Sequence, residues 1–595
     1  MTTSDVSTVR IGAQFKLLSA DWLAVPCLGF LAIFFAVPVA QLVSLSFIDP
    51  KGALNVDPFR QLFSSSVYVA VLWITLKIAF FTAMICVCAG YVLAYFLATT
   101  TPTVRSRLLL FVILPLWTSF LVRAFAWIVL LGRHGAINTL LRDAGVINQP
   151  LPLLYNLFGA LIGTVHSLMP LGVVTMLAVM LKINRNLSRA ASTLGARPAV
   201  AFIEIFFPLS IPGVAAAGLL VFILSMGFFI TPALLGGARE IMIAQVIIEQ
   251  VLQLLNWRFA GAVSLLLLVT TLVFVAGLEK LFGSPLLAGR STADVRRLRL
   301  IKVFSSVLQL GGRMLDRIAS ARGEAGSGQG GQAGIRHKRV VLGTLAVTTL
   351  LFLSVPALFL IPMSLTQDAY LNWPPRGVSS KWYLEVLQQE RWRHAIVRST
   401  LVGLSAALVS VVLGIPAALA VERGRGALRK VLFAIFLTPM IVPHIIIAVG
   451  SYYFFARLDL LGTSLALTLG HTVVCIPYVI IVMTAVLQTY DRRLDYAAWS
   501  LGANKLRAFR HVMLPIIGPG VAAAFIFAFV TSFDELTIAM FVLAGETTTV
   551  PKELWDSAIL SVRPAVAAVS VLVLSFVSLL LLIAEYLRRS KADAL

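Results

Sequence analysis

Apolar stretches of about 20 residues, the length a helix needs to cross ~30 Å of hydrocarbon, recur twelve times in this 595-residue chain. That recurrence constrains the fold more than any motif does. The stretches run over 22–46, 69–98, 107–131, 157–181, 209–230 and 260–282, then 340–363, 396–421, 431–455, 462–487, 516–540 and 564–587. A soluble core has no use for a chain that is 59% apolar and only 12% charged, with a mean hydropathy of +0.93. The expected fold is therefore an all-α integral membrane protein of about twelve transmembrane helices. Six fall in a first unit (1–288) and six in a second (340–595), joined by a cytoplasmic linker (289–339).

A formal charge of +22 raises the question of nucleic acid, and its distribution answers it. With the N-terminus in the cytoplasm, the tails, the even-numbered loops and the linker hold 32 Lys and Arg against 12 acids. The opposite side holds 13 against 12. This positive-inside bias orients all the spans together and puts both termini in the cytoplasm. Bases confined to short loops at a bilayer surface meet lipid headgroups, not nucleic acid, which calls for exposed stacking aromatics beside the charge.

The four cysteines, Cys27, Cys86, Cys88 and Cys475, fall inside apolar spans, so neither a disulfide framework nor a metal pattern is expected. The first apolar stretch is too long for a cleaved signal peptide. The linker combines a basic run with the glycine-rich GEAGSGQGGQAGIRHKR and reads as a solvated, flexible tether. Its middle, IKVFSSVLQLGGRMLDRI, reads either as part of that tether or as an amphipathic helix on the inner leaflet.

On either side of the linker the chain repeats itself. At an offset of 324 residues Gly90 matches Gly414, Ala94 matches Ala418 and Pro115 matches Pro439. At an offset of 307, LSRAASTLGARPAVAFIEIFFPLSIPGVAAA (187–217) aligns without a gap against LDYAAWSLGANKLRAFRHVMLPIIGPGVAAA (494–524). Copies six spans apart share one membrane orientation, so a pseudo-two-fold axis along the membrane normal relates the units. Within each copy, Ala190 and Ala191, or Ala497 and Ala498, suit a short helix. Gly195 and Gly502 supply the left-handed residue that ends it. Pro208, Pro212 and Gly213, with Pro515, Pro519 and Gly520, mark re-entry into the membrane, where a proline in a first turn loses no hydrogen bond. The product is a helix-turn-helix lever on the cytoplasmic surface, suited to passing a push into spans 5 and 11.

These two loops resemble the EAA motif of ABC importer permeases: two alanines, a glycine four positions on, and later a Pro-Gly pair. The resemblance implies that Ala190, Ala191, Leu194, Gly195 and Ala196, with Ala497, Ala498, Leu501, Gly502 and Ala503, form two coupling elements that dock on a separate ATP-binding subunit, a homodimer. That subunit would carry ATP and Mg, and this chain would bind no cofactor itself. The motif's leading Glu is replaced by Arg189 and Tyr496, with Asp495 one position away. The segments 114–138 and 231–250 look like the first permease of spermidine/putrescine-type importers, and SFDELTIAMFVLAGETTTVP (532–551) looks like the second. Both would here be fused in one chain of a bacterial inner membrane, served by an extracytoplasmic solute-binding protein. The fusion is also similar to ferric-iron importer permeases, which gives iron as the alternative cargo. A twelve-span secondary transporter is the mechanistic rival. The chain has no Gly-Lys dipeptide and so no phosphate-cradling G-x-x-x-x-G-K loop, which puts ATP hydrolysis on another polypeptide.

Charges in hydrocarbon cost about 3 kcal/mol or more each, so Asp534 and Glu535 need an account. On a continuous eleventh helix Asp534 would lie roughly 9 Å from the outer end. The two acids either face the pathway, where they attract a cationic solute such as a polyamine, or pair with Arg123. The first unit has Gly227-Phe228-Phe229 at the corresponding place, without an acid. Pro439 and Pro443 are expected to break the ninth span and expose carbonyls along a cavity. His166, His444 and His471 sit at unrelated depths, which suits hydrogen-bonded packing or the pathway better than a metal.

Overall fold

A computed structural model describes residues 20–49, 51–196, 198–282, 330–424, 426–543, 547–560 and 563–592. The stretch 301–318 proposed as an amphipathic helix lies outside the described residues, as do 1–19. Among the described residues the architecture is helical, with one isolated bridge between Ile48 and Leu54. In hydrocarbon no water satisfies backbone amides, and the helix meets that demand within each span.

Among the described residues ten helices are long and apolar enough to cross a membrane, and an eleventh follows if Gly426–Ile441 and His444–Arg457, bent by 88°, count as one span. The helix Pro564–Ala592 occupies the place expected of a twelfth, but its apolar part, Pro564–Leu580, is shorter than a span. Spans 2 and 8, Ser66–Thr99 and Glu390–Arg423, are long matched helices of 34 residues. Spans 4 and 10 are Leu157–Met180 and Ser464–Thr489. Each unit's first span leans on the other unit. Val37–Leu45 packs against His444–Arg457, and Gly330–Ser364 packs against Ser66–Thr99 and Phe120–Leu131. The His166 ring nitrogen Nε2 meets the Leu353 carbonyl at 3.1 Å across this seam.

The structure corrects four expectations. Span 3 is not a continuous helix over 107–131: Pro102–Ile113 gives way to a tight 3-10 turn at Leu114–Trp117, and a new helix starts at Phe120. Pro115 lies in this turn, whereas its counterpart Pro439 stays within a helix and the break in span 9 falls at Val442–Pro443. Spans 5 and 11 are helical earlier than expected, as Phe202–Met226 and Lys505–Phe533, and end before 230 and 540. Pro208 and Pro515 therefore do not open new helices after a gap. Each follows a π turn, Phe202–Phe206 or Phe509–Met513, inside a helix that is already running. The wider turn makes room for a proline ring that would otherwise strike the carbonyl four residues back. A third such turn, Ala32–Ala36, precedes Pro38 in the same way. Finally, helix begins at Gly330, inside the run read as a flexible tether.

Pro212 and Pro519 lie within the helices of spans 5 and 11. The glycines beside them have a packing role. A Cβ on Gly213 would come within 2.9 Å of Val179 Cβ, and one on Gly520 within 2.6 Å of Val486 Cγ2. Val179 and Val486 are themselves partners at the 307-residue offset. Close contact between spans 4 and 5 is thus reproduced between 10 and 11, side chain for side chain.

Candidate functional site

The first lever is the helix Asn186–Thr193, followed by Leu194 and by Gly195 at φ +87°. The second is Arg493–Ser500, followed by Leu501 and by Gly502, also at φ +87°. The left-handed glycine turns each chain back, and the amides of Ala196 and Ala503 donate to the carbonyls of Ala191 and Ala498 at 2.9 and 3.0 Å. This turn pushes one leucine of each copy outward: Leu194 and Leu501 are each 88% exposed. Two large apolar side chains held in water at matched positions are what a docking partner would cover. Asp495 does not stand in for the missing Glu of the loop surface. It is buried, 3.2 Å from Arg423 Nη2 and accepting from the Tyr490 hydroxyl at 2.8 Å. Burial and the neighbouring Asp495 carboxylate push the Tyr490 phenol above its ordinary range, so it stays a donor.

Between the units lies a cavity of about 230 Å³, lined from 113–123, 168–171 and 223–230 of the first and 440–444, 474–478 and 527–537 of the second. Four interruptions of helix converge on it. Two are the breaks at Leu114–Ser119 and at Val442–Pro443; the others follow spans 5 and 11, where short helices Ile230–Leu235 and Thr537–Val542 fold back.

Asp534 is thus not on a continuous eleventh helix. That helix stops at Phe533, with Asp534 as its C-cap and Glu535 in the break. Asp534 Oδ2 accepts from the Phe120 backbone N–H at 3.4 Å, at the start of the second half of span 3, where the free amides of a helix N-terminus favour a carboxylate. Its Oδ1 is buried without a hydrogen-bond partner. Glu535 is employed within its own unit: Oε2 accepts from the amides of Ile538 and Ala539 at 2.8 and 3.4 Å, and lies 3.5 Å from His471 Nε2. His471 Nδ1 in turn meets Ser532 Oγ at 2.8 Å.

Arg123 is 1% exposed, beside the cavity. Its Nη1 donates to the Ser167 carbonyl at 2.9 Å and its Nε to the Ser119 carbonyl at 3.4 Å, while its guanidinium carbon lies 4.3 Å from the Phe120 ring centroid. Among the described residues no ion pair within 4.0 Å joins it to either acid, so the expected pairing becomes a longer-range attraction to Asp534 across a shared wall. His444 and Pro443 line the cavity, whereas Pro439 lies within the preceding helix and not on the lining. Among the described residues no group of three His, Cys, Asp or Glu side chains could hold a metal ion.

The binding-protein-dependent transport system inner membrane component family matches this chain twice, over residues 87–278 and 410–592. The chain belongs to that family. The spermidine/putrescine transport system permease protein PotB of Haemophilus influenzae is 32% identical over 255 residues, 42% of this chain and 89% of the relative. The putrescine transport system permease protein PotI of Escherichia coli K12 is 31% identical over 257 residues, 42% of this chain and 90% of the relative. A bacterial ABC transporter involved in the import of alginate aligns over 44% of this chain and 94% of its own, at 20% identity and a TM-score of 0.38. PotB and PotI are thus each about the size of one unit, and the family matches this permease twice. Membership removes the secondary transporter as a rival.

Sequence reasoning about the permease missed Ser119 and Phe120, which receive Asp534, and Phe228, Tyr478, Thr531 and Thr537, which complete the cavity lining. A usable signal was present. The match of Pro115 to Pro439 implies that a break in span 9 has a twin in span 3, and at the 324-residue offset Phe120 corresponds to His444.

Proposed function

We propose that this chain carries both transmembrane halves of the permease of an ATP-binding-cassette importer of the bacterial inner membrane, with both termini cytoplasmic. The two levers dock on a homodimeric ATP-binding subunit that holds ATP and Mg. The observation that carries this reading is the pair of leucines, Leu194 and Leu501, equally exposed on identical left-handed turns six spans apart. A symmetric motor needs two equivalent contact points on one membrane face, and a duplicated lever supplies them. Closure of the motor on ATP moves spans 5 and 11 through the levers and opens the cavity to a solute-binding protein outside; hydrolysis resets it inward.

For cargo we propose a small cationic solute of the polyamine class. The support is the similarity to PotB and PotI, together with an aspartate that keeps one unpaired oxygen at the cavity wall. Ferric iron is the competing cargo, on the ground of the single-chain fusion alone.

The test is uptake by liposomes holding the permease, its ATPase and its binding protein, with an uncoupler present. ATP-dependent accumulation of labelled putrescine or spermidine is expected, and accumulation of ferric iron instead would change the cargo. Gly195→Pro combined with Gly502→Pro should abolish uptake while the protein still inserts. Normal uptake by that variant would remove the levers from the mechanism.

A further inference from the structure

The two levers are shaped alike and held differently. Asn186–Thr193 buries none of its side chains, whereas Arg493–Ser500 buries Asp495, 5% exposed. The carboxylate of Asp495 gathers two other elements, and its arginine reaches a third. Arg423, 3.2 Å away, is the last residue of span 8; Tyr490, at 2.8 Å, caps the end of span 10; and Arg423 Nη2 also reaches Met513 Sδ at 3.9 Å, in the π turn within span 11. Beside them Arg492, one residue before the lever helix, pairs with Glu422 and donates to its carbonyl at 3.2 Å.

At the repeat offsets the first unit keeps only one of these groups, Arg185 for Arg492, and it lacks the carboxylates, the second arginine and the phenol. Ser188 stands for Asp495, Thr99 for Arg423, Ile183 for Tyr490 and Ala98 for Glu422. The Thr99 hydroxyl donates at 2.9 Å to Tyr95 of its own helix. The root of the first lever rests on aromatic packing, with Tyr95 ring centroids 5.1 Å from Phe202 and 5.0 Å from Phe206. Ring faces and edges slide past one another with small losses, because dispersion is non-directional. A buried carboxylate cannot leave its arginine and its hydroxyl donor without exposing an uncompensated charge to a poorly solvating site.

We infer that Asp495 is a positioning residue that ties the second lever to spans 8 and 10, so that a stroke on this lever moves those spans together with span 11, while the first lever acts chiefly through span 5. The two halves of the motor then face mechanically unequal loads. This inference rests on the levers being the ATPase docking points proposed above.

The test uses the full permease with its ATPase and binding protein in liposomes, and reads solute taken up per ATP hydrolysed. Asp495→Asn should keep assembly and hydrolysis and lower that ratio by about tenfold, within the range of coupling energies that such networks carry. Tyr490→Phe, which keeps the ring, should lower it by about threefold. Exchanging the charges, Arg423→Asp with Asp495→Arg, should restore part of the ratio. Thr99→Val, at the end of span 2 where the first unit has no arginine, should leave it unchanged.

An unchanged ratio in Asp495→Asn, or an equal fall in Thr99→Val, overturns the inference. So does a parallel loss of hydrolysis and uptake, since that is the mark of a merely structural group. If Asp495→Asn fails to assemble, an unchanged ratio in Tyr490→Phe overturns it instead. Absence of ATP-dependent uptake in the unsubstituted complex would overturn the functional reading itself, a different result from normal coupling in the variant.

Discussion

The break after span 5, Gly227-Phe228-Phe229, and the break after span 11, Asp534-Glu535-Leu536, are the same piece of backbone 307 residues apart, and almost nothing of their chemistry is shared. Gly227 lies against the other unit's break so closely that a Cβ there would come within 2.8 Å of Pro443 Cβ and 3.1 Å of its Cα. Asp534 meets the matching place in the first unit, where Ser119 stands instead of Pro443, and its carboxylate reaches the Phe120 amide. Next along, Glu535 binds the amides that open Thr537–Val542, whereas Phe228 packs its ring 5.1 Å from Phe120. Duplication preserved the path of the main chain, because every unpaired amide in hydrocarbon is penalised. The side chains at the crossing were free to diverge, so one crossing of the two units is a carboxylate-to-amide hydrogen bond and the other is a glycine-proline contact.

Substitutions at the two crossings test that difference. The largest effect is expected from Glu535→Ala, which strips two buried amides of their acceptor and removes the carboxylate 3.5 Å from His471 Nε2, and should cost about 3 kcal/mol, read as a fall in thermal unfolding temperature in detergent. Phe228→Ala should cost about half of that, because the ring is only half-buried. Equal losses at the two sites would undo the comparison.

Gly227→Ala comes next, at about 2 kcal/mol, because the proline facing it cannot swing aside. A neutral result would mean that the first unit could have carried an acid there. Asp534→Asn keeps an acceptor for the Phe120 amide and should shift stability by about 1 kcal/mol or less, yet lower uptake of a polyamine by about tenfold. Unchanged uptake would separate this crossing from the solute path. Smallest in stability are Leu194→Ala and Leu501→Ala, within about 0.5 kcal/mol since both side chains already face water. Their expected effect is weaker capture of the ATPase, measured by co-purification.

Much of this protein can be read from its residues. Apolar length gave most of the spans, and the duplicated Leu-Gly-Ala and Pro-Gly spacing gave the paired loops with their left-handed glycines at Gly195 and Gly502. Those features depend on neighbours in sequence or on composition, and a single chain displays both. The errors share a physical origin. Hydropathy averages over some twenty residues and cannot see a break of four apolar ones, so span 3 read as continuous and Asp534 read as part of a helix that stops one residue before it. Nothing local distinguishes a carboxylate that faces a docking partner from one turned inward, and Asp495 was therefore ambiguous until Arg423 and Tyr490 were seen around it.

By itself, then, the sequence determined that the chain crosses a membrane repeatedly, in two like-oriented units with paired loops of the same design, because hydrophobic length and repeated spacing act on each segment independently of the rest. Only the tertiary structure decided which groups meet where the units cross and where spans pack within a unit. Asp534 at Phe120, Gly227 at Pro443 and Asp495 at Arg423 are contacts between segments 72 to 414 residues apart. Their energies depend on distance and desolvation, and neither exists until the helices have packed.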